Sequence, residues 1–210
     1  MCNLLKLHEE DMQFDYPNWS NVHHNHWQAI FDKYLTQPKL QMLEIGCFEG
    51  RSTMWFADKL KENPKSVLHC VDNWAGGEEV VRLKLNFNMG VVRENFYSNV
   101  EEHPHCDQIY THEHSSEIFL CTQMPRFYRF FNFIYLDGSH TQKDTLIDMV
   151  MCVCMLDTGG VLIVDDYLNN MATNNPLLRP KDAVDFVVKS FGNEVEFFTT
   201  PEKQAVIIRK

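Results

Sequence analysis

Leu40-Gln41-Met42-Leu43-Glu44-Ile45-Gly46-Cys47-Phe48-Glu49-Gly50 is the stretch that decides the fold. Its apolar run from Leu40 to Ile45 stops at a glycine, which predicts a short buried strand leaving through a sharp turn. Gly50 allows close backbone approach just before Ser52 to Leu60, a stretch that reads as a helix ended by Asn63-Pro64. A strand feeding a helix through a glycine turn is the first half of a βαβ unit, with a ligand site at the turn.

The same grammar recurs outward from it. Val67 to Val71 reads as a second strand ending at Asp72, and Gln108 to Thr111 as a weaker third. Phe130 to Leu136 is a strong fourth, ending at Asp137. Thr141 to Leu156 follows as a helix, Gly159-Gly160 as a turn, and Val161 to Val164 as a fifth strand ending at Asp165-Asp166. Alternation of this kind predicts right-handed crossovers and a parallel sheet covered on both faces. The end of the chain differs. Ala183 to Phe191 reads as a helix stopped by Gly192, and Glu194 to Phe198 and Ala205 to Ile208 follow as strands with no room for a helix between them. Such a pair must be an antiparallel hairpin. The expected fold class is α/β, a Rossmann-like doubly wound seven-stranded sheet, mostly parallel, with a C-terminal antiparallel hairpin. Residues 1–38 are expected as an N-terminal helical segment packing on a 39–210 core.

Composition narrows the function classes. With 44% hydrophobic residues in 210, a full core can be buried. The longest unbroken apolar run, Met149 to Leu156, is far short of the ~20 residues that span a bilayer. No secretory signal is read at the N-terminus, where Leu4, Leu5 and Leu7 give way at once to Glu9, Glu10 and Asp11. Nineteen Lys and Arg against 29 Asp and Glu give a net charge of −10, which repels phosphate backbones and anionic membranes. Seven cysteines, mostly inside apolar segments and without a C-x-x-C pair, read as reduced thiols of a cytoplasmic protein.

Several constellations carry chemistry. Phe48 occupies the second glycine position of the dinucleotide fingerprint, so a pyrophosphate would be crowded and NAD is disfavoured. Asp72, 22 residues after Gly50, stands where a strand-end carboxylate accepts from ribose hydroxyls. Trp74 offers a flat face to an adenine or a substrate, or else packs beneath a loop. Asp137, Asp165 and Asp166 all fall at the carboxyl edge of a parallel sheet. Three converging carboxylates repel unless a cation or a proton relieves them, and hard oxygen ligands of this kind suit Mg²⁺ or Mn²⁺. Asp166 could instead cap the following turn. His23-His24-x-His26 reads as an exposed helix start rather than a metal site. Trp27, Ile30, Phe31 and Tyr34 after it are spaced for an amphipathic helix. The polar stretch Tyr167 to Pro180 beside the three aspartates makes Tyr167, Asn169 and Asn170 candidate substrate contacts.

Glu44-x-Gly46-x-x-x-Gly50 resembles motif I of class I S-adenosylmethionine-dependent methyltransferases, and Asp72-x-Trp74-x-Gly76-Gly77-Glu78 resembles the macrocin O-methyltransferase-like branch, methyltransferase family 24. The resemblance runs from about Leu40 to Arg209 and is weaker from Phe87 to His114. It implies a cofactor set of Glu44, Gly46, Cys47, Gly50, Ser52, Asp72, Asn73, Trp74, His114, Ser115 and Asp137, with Ser52 near the methionine portion and Ser115 near adenine. It also implies a divalent metal on Asp137, Asp165 and Asp166, and His140 of Asp137-x-x-His140 as the base that deprotonates the acceptor. An alcohol needs a Lewis acid and a base before it attacks a methyl group. The implied acceptor is a hydroxyl of a small molecule or saccharide, and a homo-oligomer is open. Rival readings are a metal-dependent hydroxylase-like relative, which would want a redox metal with histidine ligands, and a non-catalytic binding module. A nucleic-acid methyltransferase is disfavoured by the charge and by the lack of an Asn/Asp-Pro-Pro-Tyr-like segment.

Overall fold

The computed structural model describes residues 12–60, 63–77, 80, 84–168, 171 and 174–210. Seven strands form one sheet: β1 (Gln41–Ile45), β2 (Val67–Asp72), β3 (Ile109–Glu113), β4 (Phe131–Leu136), β5 (Leu156–Val164), β6 (Val195–Thr199) and β7 (Ala205–Arg209). Their spatial order is β3-β2-β1-β4-β5-β7-β6. β1 to β5 pair in parallel, β7 runs antiparallel between β5 and β6, and six strands therefore share one direction. This is the doubly wound sheet with a terminal hairpin that the alternation predicts.

The flanking helices are α1 (His24–Tyr34), α2 (Arg51–Ala57), α3 (Met89–Glu102), α4 (Ser116–Phe127), α5 (Gln142–Met155) and α6 (Pro180–Phe191). Strand residues alternate between two cores, as the period of a pleated strand requires. Met42, Leu68, Phe133, Tyr135, Ile163 and Val206 pack beneath α1, α2 and α3. Leu43, Ile45, Val71, Ile134, Leu136 and Ile207 pack beneath α4, α5 and α6. Among the described residues no helix is long and apolar enough to cross a membrane.

Local departures from the sequence reading have identifiable causes. α3 falls in the region of weaker resemblance, and α4 just after it. On α3 the buried face mixes Val92, Phe96 and Val100 with Asn95 and Asn99, which hides its apolar stripe. α4 carries Pro125 near its end, which reads as a breaker. β5 begins at Leu156 rather than Val161, with Gly159-Gly160 inside it and a register shift opposite Phe131 to Phe133. His23 is buried rather than exposed, and its ring stacks on Trp27. Cys47, Cys70, Cys121, Cys152 and Cys154 are free, whereas Cys106 is disulfide-bonded, so the expectation of a wholly reduced set fails there.

The N-terminal strap before α1 is tied to the β1–α2 turn by one buried residue. Glu49 accepts from the Asp15 and Tyr16 amides at 2.8 and 3.1 Å and from Asn95 Nδ2 at 2.9 Å. Asn99 Nδ2 donates to the Glu49 carbonyl at 3.1 Å and to the Gln13 carbonyl at 2.9 Å. Buried polar groups are stable only when paired, so these bonds fix the strap and α3 against the glycine turn.

Candidate active site

The strand tips of β1 to β5 open on one edge, and the glycine turn is shaped by close approach. Gly46 has φ +85°, and a Cβ there would sit 1.9 Å from the Asp137 carbonyl oxygen, so only glycine fits. Asp72 organises the same turn. Its Oδ2 accepts from the Cys47 and Phe48 amides at 2.8 and 3.0 Å, and its Oδ1 from the Trp74 amide at 2.8 Å.

A cavity of about 420 Å³ runs along this edge. Of the expected cofactor residues, Gly46, Asp72, Asn73, His114, Ser115 and Asp137 line it. Glu44, Cys47, Gly50, Ser52 and Trp74 do not. Glu44 is fully buried beneath the turn, where its oxygens accept from Ser52 Oγ and Thr53 Oγ1, both at 2.5 Å. Burial pushes its carboxyl up to about 8. Ser52 is thereby spent on Glu44, and the Cys47 thiol points to the Val71 carbonyl at 3.7 Å. Gly50, with φ +89°, forms the start of α2 under Phe96. Trp74 takes the packing alternative: it is buried against Phe96 and Tyr97, and its indole N–H donates to the Phe48 carbonyl at 3.0 Å. Ser115 also serves as N-cap of α4, accepting from the Ile118 amide.

The lining has a one-sided charge. It carries the carboxyl groups of Asp72, Glu117, Asp137, Asp144 and Asp148 and, among the described residues, no Lys or Arg. Asp144 and Asp148 are cavity residues to which the sequence reading gave no role beyond the Thr141 to Leu156 helix; their i, i+4 spacing on one face of α5 was the available signal. Such a cavity favours a cationic ligand and disfavours a phosphate.

Asp137 connects the cavity to a second cluster. His140 Nε2 lies 3.4 Å from Asp137 Oδ1 and 3.2 Å from Asp166 Oδ2, and single donor atoms of these three residues all fall within 4.8 Å of one another. Burial and the neighbouring Asp165 charge push the Asp137 carboxyl well above the usual range. Asp165, expected as a third metal ligand, is otherwise engaged. Its Oδ2 accepts from the Tyr135 hydroxyl at 2.5 Å and its Oδ1 from the Asp166 amide at 2.8 Å, with His23 Nε2 3.9 Å away. Asp166 has φ +51°, and its Oδ2 lies 3.2 Å from His140 Nε2. The converging set is thus Asp137, Asp166 and His140. The carboxylate oxygens of Asp137 and Asp166 are the hard ligands that suit a divalent cation such as Mg²⁺ or Mn²⁺, with the His140 imidazole beside them. Tyr167 is buried, with its hydroxyl donating to Asp185 Oδ1 at 2.8 Å. Asn169 and Asn170 lie outside the described residues.

Residues 43–167 match the family model of a methyltransferase domain. The sequence has no match among curated proteins. An O-methyltransferase from Bacillus cereus, solved in complex with SAH, is similar in structure, with a TM-score of 0.67 at 16% identity over 92% of this chain and 83% of that one. A candidate caffeoyl-CoA O-methyltransferase from Staphylococcus aureus gives 0.64 at 13% identity over 92% and 86%. A candidate O-methyltransferase from Klebsiella pneumoniae gives 0.64 at 14% identity over 94% and 83%.

Proposed function

Because the chain belongs to the methyltransferase family matched over residues 43–167, we propose that it transfers the methyl group of S-adenosylmethionine to a hydroxyl of a small molecule or saccharide, with a divalent metal assisting. The observation that carries this reading is the acidic character of the cavity lining, which includes Asp72, Glu117, Asp137 and Asp144 and, among the described residues, no Lys or Arg. A sulfonium is a cation without phosphates, and these charges attract it.

Asp72 is held by three backbone amides with lone pairs to spare, and accepts from the ribose hydroxyls. Asp137, with His140 beside it, would then face the methyl-bearing sulfur. His140 Nε2 takes the acceptor's proton as its oxygen attacks in line, and Asp137 and Asp166, at 3.4 and 3.2 Å, stabilise the imidazolium that results. Mg²⁺ or Mn²⁺ held by Asp137 and Asp166, with Asp165 beside them, would supply Lewis acidity that lowers the acceptor hydroxyl's pKa.

Titration calorimetry with S-adenosylmethionine on wild type and Asp72→Ala, with and without Mg²⁺, tests the reading. Micromolar binding that Asp72→Ala abolishes supports it; no binding to wild type under either condition overturns it.

A further inference from the structure

One wall of the cavity holds none of the groups that take part in the transfer step above. It is made by the N-terminal end of α4, with Ser115, Ser116 and Glu117, and by the first turns of α5, with Asp144, Ile147 and Asp148. Asp148 stands out. It is 1% exposed, yet it belongs to the cavity lining, and its Oδ2 has no hydrogen-bond partner among the described residues. Its other interaction is with the Ser116 hydroxyl. Oδ2 lies 3.6 Å from where a Cβ on Gly138 would stand, so the end of β4 leaves this oxygen uncrowded. A buried, unsatisfied carboxyl oxygen costs free energy that a polar ligand can recover.

We propose that Asp148 reads the Watson–Crick or Hoogsteen edge of the cofactor's purine, accepting from the exocyclic 6-amino group, and so makes the site selective for adenine. This rests on the reading that the cavity holds S-adenosylmethionine. The placement follows from the order of groups along the strand tips. The reacting methyl belongs at Asp137 and His140, and the ribose at Asp72. The base therefore extends into the cleft between α4 and α5, where Ile147 supplies an apolar face and Asp148 a polar one. Burial, with Asp144 and Glu117 as like-charged neighbours, pushes the Asp148 carboxyl up to about 7. Near neutral pH a protonated carboxyl is thus available. It presents one acceptor and one donor, complementary to a purine edge that pairs an amino group with a ring nitrogen.

The probes are S-adenosylhomocysteine and its analogue with hydrogen in place of the 6-amino group, titrated calorimetrically into wild type, Asp148→Asn, Asp148→Ala and Asp148→Leu. Wild type should bind the adenine compound about tenfold more tightly than the analogue. Asp148→Ala should erase the preference by weakening the adenine compound alone. Asp148→Leu gives the same reading if the alanine variant does not fold. Asp148→Asn, which keeps a donor and an acceptor, should retain the preference. A merely structural role would weaken both compounds equally and leave their ratio unchanged, and that result overturns the proposal. So does a wild type that binds both compounds equally. If wild type binds neither, the cofactor reading fails, and this inference with it.

Discussion

The Tyr135 hydroxyl lies 2.5 Å from Asp165 Oδ2 and ties the carboxylate at the end of β5 to the neighbouring strand β4. Tyr135 is fully buried, and burial beside Asp137 and Asp165 pushes its own ionisation far above the physiological range, so it stays a donor. The pair explains why Asp137 and Asp166, rather than Asp165, converge with His140. Tyr135→Phe should remove this tether. The expected loss is about 1–2 kcal/mol, a fall in Tm of roughly 2–8 °C, with S-adenosylmethionine affinity unchanged. Thermal unfolding and calorimetry on the same variant check both halves.

His140 is outside the cavity lining but bridges Asp137 and Asp166. His140→Ala should therefore leave cofactor affinity within about twofold while lowering turnover by roughly 10²–10⁴. Full activity in this variant, once an acceptor has been found by screening sugars and phenols, would remove the histidine from the reaction.

Gly46 admits no side chain, because a Cβ would overlap the Asp137 carbonyl at 1.9 Å and φ is +85°. Gly46→Ala is expected to cost about 2–5 kcal/mol and to weaken cofactor binding, since the turn and the start of the site must shift together. Chemical denaturation measures the first effect. A variant as stable as wild type would show that the β1–β4 contact is looser than it stands.

Glu44 gives a prediction in pH. Its carboxyl titrates at an ordinary 4.5 when unfolded and at about 8 when folded, through burial. Between those values the folded state keeps a proton that the unfolded chain has released, so stability falls as pH rises through the window and levels off above it. Glu44→Gln should keep Ser52 and Thr53 as partners and remove this group's share of the slope, roughly 3–5 kcal/mol across the window. Urea unfolding of both proteins at about pH 5 and about pH 8.5 isolates the difference. Parallel slopes would mean that Glu44 is charged when folded.

Much of the fold was legible because it is written locally. Strand β4 is an apolar run ended by Asp137, and the 6–7 hairpin follows from a gap too short for a crossover. The helices α3 and α4 were not legible, since Asn95, Asn99 and Pro125 break the pattern for tertiary reasons: the two asparagines satisfy Glu49 and the N-terminal strap. The cavity residues Gly46, Asp72 and Asp137 were visible because each ends a strand of a parallel sheet, where loops gather. Asp148 was not, because a carboxylate among apolar helix residues has no meaning until the opposite wall is in place.

By itself the sequence determined the order of the strands, the helices α1, α2, α5 and α6, the shared edge on which Asp72, Asp137, Asp165 and Asp166 fall, and a glycine turn at position 46. Those depend on period, turn chemistry and chain length, all properties of neighbours in sequence. Tertiary structure alone decided how the polar groups were shared. It spent Ser52 on Glu44, Trp74 on Phe96 and Asp165 on Tyr135, and it left Asp166 facing His140. The reason is physical: a buried polar group takes whichever partner packing brings within about 3 Å, and that partner comes from a distant part of the chain.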